Sequence, residues 1–336
     1  AIELGSGDRP GNTTSGSWQP DGDGTVKIAL YDVDSVMPNL ALMKVSAYHK
    51  SLGHEVVPFD PLFTRTYDKI YASKVFKDTD GSLLDPDVME IGGTGWDVKA
   101  TLPDEIEAMQ PDYTFYGYPH SLGFTMRGCR FRCKFCVVPE KEGQPFQVQT
   151  IDEIWRQRDS NFIVLLDNDF FGNPAWADRI AEIRQHKLRV NFSQGLNIRL
   201  ITQEQADAVA SVKFYNLTNK YRQVHFAWDQ FSAGTERLID QGIDRCFQAG
   251  IKAWQMAFYV LIGFNTSHEE DLYRVIKLRD LGCDPYVMPF DKSDLYQKNF
   301  ARYVNHRAVF HSIEWPEYVK NLRKKDPIEG QAEMAL

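Results

Sequence analysis

Three of the five cysteines fall within eight residues, in the segment Cys129-Arg-Phe-Arg-Cys133-Lys-Phe-Cys136. Thiolates are soft ligands that suit iron–sulfur clusters and zinc, and spacings of four and three bring all three sulfurs to one side of a tight loop. The number three carries the information. A structural zinc site closes its tetrahedron and would need a fourth ligand, for which His120 is the nearest candidate. A cluster held by three protein thiolates leaves one iron open to bind a substrate. Of the other two cysteines, Cys246 falls with Leu238, Ile239, Ile243 and Phe247 on one helical face, and Cys283 begins a strand. Both read as buried structural thiols, not adjacent to each other and too few for a second cluster.

The elements that must position this cluster are constrained first by size. A chain of 336 residues holds about two domains at roughly 150 residues each. With 43% hydrophobic and 25% charged residues, disorder along its whole length is excluded. The charge of 38 − 46 = −8 indicates no broadly basic surface for nucleic acid or an anionic membrane. No apolar run approaches the roughly 18 residues of a spanning helix; Ala257 to Phe264 is the longest. The first 24 residues carry six glycines and two prolines, and read as a flexible arm partly tethered by Trp18, neither signal nor transit peptide. Sparse cysteines in a chain able to bury its own core argue against a disulfide scaffold and point to the cytoplasm.

The pattern predicts an α/β protein in four parts: the arm (1–24), a small Rossmann-like parallel-sheet domain (25–118), a βα array (119–292) and a helical C-terminal extension (293–336). In the front domain, strands are expected at Val26 to Tyr31, Glu55 to Phe59 and Lys69 to Val75, with a helix from Leu40 to Leu52 and a short one within Pro103 to Pro111. Gly92-Gly93-Thr94-Gly95 is a turn whose glycines would let backbone approach a ligand, or a plain loop. Beyond His120, strands are expected near 122–126, 162–166, 189–193, 224–228, 254–262 and 285–289. Helices fall between them at Ile151 to Arg158, Pro174 to Lys187, Thr202 to Ser211, Gly234 to Ala249 and His268 to Leu281. Six parallel strands with outer helices form an open doubly wound sheet or a partial barrel, and in both the chemistry gathers at the strands' carboxyl ends.

The C-x3-C-x2-C motif, with Phe135 before the third cysteine and a place in the loop after the first strand of such an array, resembles the radical S-adenosylmethionine (SAM) superfamily. The resemblance covers roughly Ser121 to Phe290. It implies a partial (β/α)6 barrel and a [4Fe-4S] cluster on Cys129, Cys133 and Cys136 whose open iron chelates SAM. It also implies reductive SAM cleavage to a 5′-deoxyadenosyl radical, and a reducing electron donor such as flavodoxin or ferredoxin. Asp167-Asn168-Asp169, after the second strand, would meet the SAM ammonium; a plainer reading makes them an acidic helix cap before Pro174. Asn191, Ser193, Gln194 and Arg199 cluster at the third strand end, with Arg199 suited to the SAM carboxylate. Asp229 ends the fourth strand. Ile262-Gly263 ends the fifth, as the backbone near adenine, in a segment that matches the family's glycine-rich motif only loosely.

The front segment, Val26 to Tyr118, resembles the cobalamin-binding domain of one radical SAM subgroup and the front domain of tRNA methylthiotransferases. The subgroup's D-x-H-x-x-G motif is absent, because the corresponding turn reads Asp32-Val-Asp34-Ser-Val-Met-Pro38. Cobalamin would therefore bind without a histidine from this turn, or not at all. Because the ligand crevice of a doubly wound sheet lies beyond the strand carboxyl ends, the turn and Gly92 to Gly95 are expected to face the barrel and Cys129. Four readings stay open: a radical SAM enzyme of unknown substrate, a cobalamin-dependent radical SAM methyltransferase, a methylthiotransferase-like RNA-modifying enzyme, and a zinc-stabilised binding module. In the last, Arg127, Arg130, Arg132, Lys134 and Lys141 would contact a polyanion.

Overall fold

In the computed structural model, residues 26–156 and 160–325 are described. The expected N-terminal arm with Trp18 lies outside them, as do residues 157–159 and the chain beyond 325. The chain divides into two compact units, Ala1–Gly117 and Tyr118–Leu336. Both are mixed α/β with parallel sheets. Among the described residues, no helix is long and apolar enough to cross a membrane.

The first unit alternates β1 (Lys27–Asp32), α1 (Leu40–Ser51), β2 (Glu55–Pro58), β3 (Lys69–Ser73), β4 (Glu90–Gly92) and α2 (Asp104–Glu107). Its sheet runs β2-β1-β3-β4, all parallel. Strand alternation sends Ile28 and Leu30 to one face, against Leu42, Val45 and Ile106, and Ala29 to the other, with Ile70, Ala72 and Met89. Asn39 opens α1 by accepting from the amides of Ala41 and Leu42.

β4 was not expected from the sequence, and it accounts for the glycines after it. A Cβ at Gly93 or Gly95 would overlap the backbone of Lys74 or Phe76. These glycines serve close packing of the unit's own chain. The Asp32 to Pro38 turn is likewise committed internally: Asp32 accepts from the Tyr116 hydroxyl at 2.6 Å and the Ser35 amide, and Asp34 accepts from the amides of Val75 and Phe76.

The second unit begins with β5 (Ser121–Gly123), β6 (Met126–Arg127), α3 (Val138–Lys141), β7 (Phe146–Gln147), α4 (Ile151–Ile154) and β8 (Phe162–Leu165). It continues with α5 (Trp176–Gln185), β9 (Arg189–Phe192), α6 (Gln203–Ser211), β10 (Lys213–Phe214), β11 (Val224–Ala227) and α7 (Ala233–Gln248). β12 (Met256–Ile262), α8 (His268–Asp280), β13 (Asp284–Pro289), α9 (Leu295–Asn305), α10 (Arg307–Phe310) and α11 (Trp315–Lys325) complete it. One sheet runs β10-β9-β8-β5 and another β11-β12-β13. A parallel bridge from Leu196 to Phe226 joins the end of β9 to β11. Apart from the two-residue β10, which pairs parallel with the start of β9, the parallel strands thus follow chain order: β5, β8, β9, β11, β12, β13.

One face of these strands packs under the helices through Ile163, Val190, Phe192, Phe226, Phe258, Val260 and Val287. The C-terminal helices join this same core through Tyr296, Phe300, Tyr303 and Phe310. Cys246 and Cys283 are free and buried in it, their thiols both pushed up to about 12 by burial. The charge of Cys283 adds to the upward shift of Cys246. On β13, the side chain of Asn305 accepts from the Val287 amide at 2.7 Å and donates to its carbonyl at 3.0 Å, occupying the backbone groups that another strand would use.

Two expected elements end early. The strand expected over 122–126 stops at Gly123, because the amides of Thr125 and Met126 donate to Asp167 instead of to a neighbouring strand, and Met126–Arg127 turns to pair antiparallel with Phe146–Gln147. The helix expected from Ile151 is one turn long. Trp155 is already extended, and the Arg156 amide donates to the Ser121 hydroxyl at 2.9 Å.

Candidate functional site

Cys129, Cys133 and Cys136 follow the β5/β6 segment and line one cavity of about 220 Å³. Gly128 sits at φ +78° where a Cβ would overlap the Gln144 backbone, and the Cys129 amide donates to the Gly143 carbonyl at 3.2 Å. Cys136 donates its amide to the Cys133 carbonyl at 3.0 Å, which closes a tight turn. The Phe131 amide donates to Sγ of Cys129, yet burial pushes that thiol up to about 11 and raises Cys133 as well. Among the described residues, no three His, Cys, Asp or Glu side chains gather closely enough to share one metal ion.

The cavity is also lined by Phe135, Asn168, Asp169, Gln194, Arg199 and Asp229, so six further residues singled out in the sequence meet the cysteines here. Phe135 packs edge-on against Phe264 at 5.4 Å. Arg199 is held by the turn Ile198–Leu200, which Asn197 caps by accepting the Arg199 amide. α7 presses on this turn through Gly242, where a Cβ would overlap the Ile198 carbonyl. The Arg199 guanidinium stands 5.9 Å from the centre of the Phe131 ring. Asp229 has a buried Oδ1 with no hydrogen-bond partner. Burial raises its carboxyl to about 6 against the opposing pull of Arg199, the Leu261 amide and Arg274.

The segment after β8 divides differently from expectation. Asp167 does not line the cavity: its carboxylate accepts from the Thr125 amide at 2.7 Å, the Thr125 hydroxyl at 2.6 Å and the Met126 amide at 3.1 Å. Burial nevertheless raises its pKa to about 6. Asp169 pairs with Arg130, and its side chain does not cap the helical turn Phe170–Gly172. Asn168 donates to Glu142 at 2.9 Å.

Ile262 and Gly263 stand outside the lining. The Ile262 carbonyl accepts from the Phe290 amide, and the side chain of Gln297 fills the space beside Gly263. Asn191 and Ser193 are also outside the lining, with Asn191 Oδ1 and Ser193 Oγ buried and unpartnered. His120 precedes β5 and contacts Ser160, which precedes β8. Those are the amino ends of the strands, and the cysteines follow the carboxyl end of β5.

Two contributors lie outside the residues that the sequence singles out. Glu142 accepts from Arg127 and the Gly128 amide as well as from Asn168, and its role arises from the fold of a loop that no periodicity marks. Arg274 and Asp271 form a fully buried pair beneath the strand ends. A signal for it existed, since both share the helical stripe of Val275 and Leu278 and charges there are out of place. No family model matches the chain, and no curated protein matches it significantly.

Proposed function

We propose that this chain is a radical SAM enzyme, with Cys129, Cys133 and Cys136 as ligands of a [4Fe-4S] cluster. One observation carries the reading: three thiols of one loop, after the first strand of the parallel array, share a cavity with Arg199 and with Asp229, a carboxylate whose buried Oδ1 has no hydrogen-bond partner. The strand order supports a partial (β/α)6 barrel, because a doubly wound sheet reverses its order at a switch point and this one follows the chain. The position of His120 at the opposite strand ends weighs against the zinc module, which needs a fourth ligand.

When bound, the cluster supplies an electron for reductive cleavage of SAM to a 5′-deoxyadenosyl radical. The protein's part is to bind and orient. Arg199 offers its planar fork to the SAM carboxylate, and Asp229 accepts from a donor group of the same molecule. Phe131 and Phe135 shield the loop from water. Exposed Arg132 and Lys134 flank Cys133 and suit an acidic reductant such as flavodoxin or ferredoxin. Cobalamin does not fit the first unit as its subgroup binds it. The Asp32 to Pro38 turn has no histidine and its carboxylates are committed, so no step is assigned to that cofactor.

The test is anaerobic reconstitution with iron and sulfide, then assay for 5′-deoxyadenosine, S-adenosylhomocysteine and methylthioadenosine with a reductant. The wild-type protein retains iron and forms 5′-deoxyadenosine. Replacement of Cys129, Cys133 or Cys136 by Ala abolishes both, whereas Cys246→Ala and Cys283→Ala alter stability alone. Full iron retention in Cys133→Ala would falsify the reading.

A further inference from the structure

We propose that Arg130 and Asp169 are a positioning pair that shapes the cysteine loop before any metal arrives, and that Asp169 does not bind SAM. The proposal deepens the reading of the cysteines as cluster ligands, and it departs from the role that the resemblance implies for the segment after β8. All three side chains of that segment face the cysteine loop or its flanks. Asp167 holds Thr125 and Met126 before the loop, and Asn168 holds Glu142 behind it. Asp169 reaches into the loop itself. Its Oδ2 accepts from Nε of Arg130 at 2.7 Å, and its Oδ1 from Nη2 at 2.9 Å. The Arg130 amide adds a longer contact of 3.4 Å.

This two-point pairing occupies both carboxylate oxygens, and the Asp169 side chain is only 3% exposed. Gly172 is a second, independent sign that the chain is built around the pair, because a Cβ there would overlap the carboxylate and stand 3.1 Å from Arg130 Nε. The loop needs such a tie. Between β6 and α3 it has no regular element, so contacts from outside must offset the entropy lost in ordering it. Arg130 lies between the first two cysteines, so fixing it fixes their approach. An ammonium ion at Asp169 would have to share with Arg130 a carboxylate that already takes three contacts from it and is almost wholly covered. Asp229, with its free oxygen, requires no such sharing.

The experiment compares Arg130→Gln, Asp169→Asn, their double variant and Gly172→Ala, with Arg132→Gln as an exposed control for the lost charge. Amide hydrogen exchange over residues 125–137 is measured on full-length, metal-free protein. Iron per chain is measured after anaerobic reconstitution, and SAM affinity is measured by calorimetry per iron-loaded site. Expected are about tenfold faster exchange and reduced iron uptake in both single variants and in Gly172→Ala, with the double variant no worse than either single. SAM affinity per loaded site stays within about threefold of wild type. Normal exchange and iron uptake in Arg130→Gln, together with lost SAM affinity in fully loaded Asp169→Asn, would overturn the proposal; so would additive effects in the double variant. If wild-type protein takes up no iron, the cluster reading fails, while the metal-free exchange still decides whether the pair shapes the loop.

Discussion

The guanidinium of Arg274 donates to the carbonyl of Trp228 at 2.7 Å and to that of Leu261 at 2.9 Å, so one fully buried cation on α8 ties the ends of β11 and β12 together. The peptide it holds carries Asp229 into the cavity. Its counter-charge, Asp271, lies 2.6 Å away, is equally buried, and accepts from the Thr266 hydroxyl. Burial depresses the Arg274 pKa and raises that of Asp271, a cost that their mutual attraction offsets only in part.

Replacing Arg274 by Met leaves Asp271 buried without its partner. The expected loss is about 3–5 kcal/mol, read as a lower urea midpoint, with part of it recovered in Arg274→Met/Asp271→Leu. An unchanged midpoint in the single variant would show that the clamp is dispensable.

Gly242→Ala changes a residue of α7 that never reaches the cavity. The new methyl meets the Ile198 carbonyl, so the turn that carries Arg199 must shift. Overpacking of this kind costs about 1–3 kcal/mol. If the cavity binds SAM as proposed, calorimetry shows weaker binding although every lining side chain is intact, and undiminished affinity would mean that the turn's position does not matter.

In the first unit, Gly93→Ala places a side chain at φ +93° and against the Lys74 backbone. The expected loss exceeds about 1 kcal/mol. Thermal unfolding of the variant measures it, and a variant as stable as the wild type would contradict the close packing assigned to this turn.

His49 sets a pH dependence. Its ring contacts the His54 ring at 2.9 Å and the Tyr71 hydroxyl at 3.0 Å. Burial, with the charges of His54 and Lys69 against the opposing Glu90, lowers its pKa from 6.5 to about 4. The folded pKa lies below the unfolded one, so between the two the unfolded chain binds the extra proton. The stabilisation is complete above about pH 6.5 and is lost as pH falls toward 4. Asp112 adds acid sensitivity at lower pH: hydrogen bonds from Lys50, Ser46 and Thr114 outweigh burial and hold it at about 2. Denaturation across pH 4 to 7 should therefore show a slope that His49→Gln flattens. Coincident slopes would remove His49 as the cause.

The sequence by itself determined the alternation of strands and helices and the grouping of three cysteines. Both are local: period-two and period-3.6 burial and ligand spacing are properties of neighbouring residues, which is why β8, β9, β11 and β12 lie within a residue or two of where the pattern puts them. The tertiary structure decided what those neighbours meet. Asp167, Asn168 and Asp169 are indistinguishable as sequence, three short polar residues after a strand. The fold commits the first to Thr125 and Met126, the second to Glu142 and the third to Arg130, across separations of 26 to 42 residues. Asp229 carries no mark in the sequence that would set it apart from them, and it alone of these carboxylates keeps a buried oxygen without a partner. Which acid is spent on hydrogen bonds and which keeps an oxygen without a partner depends on the donors that chain topology brings within about 3 Å, and a hydrogen bond at that range has no signature along the chain.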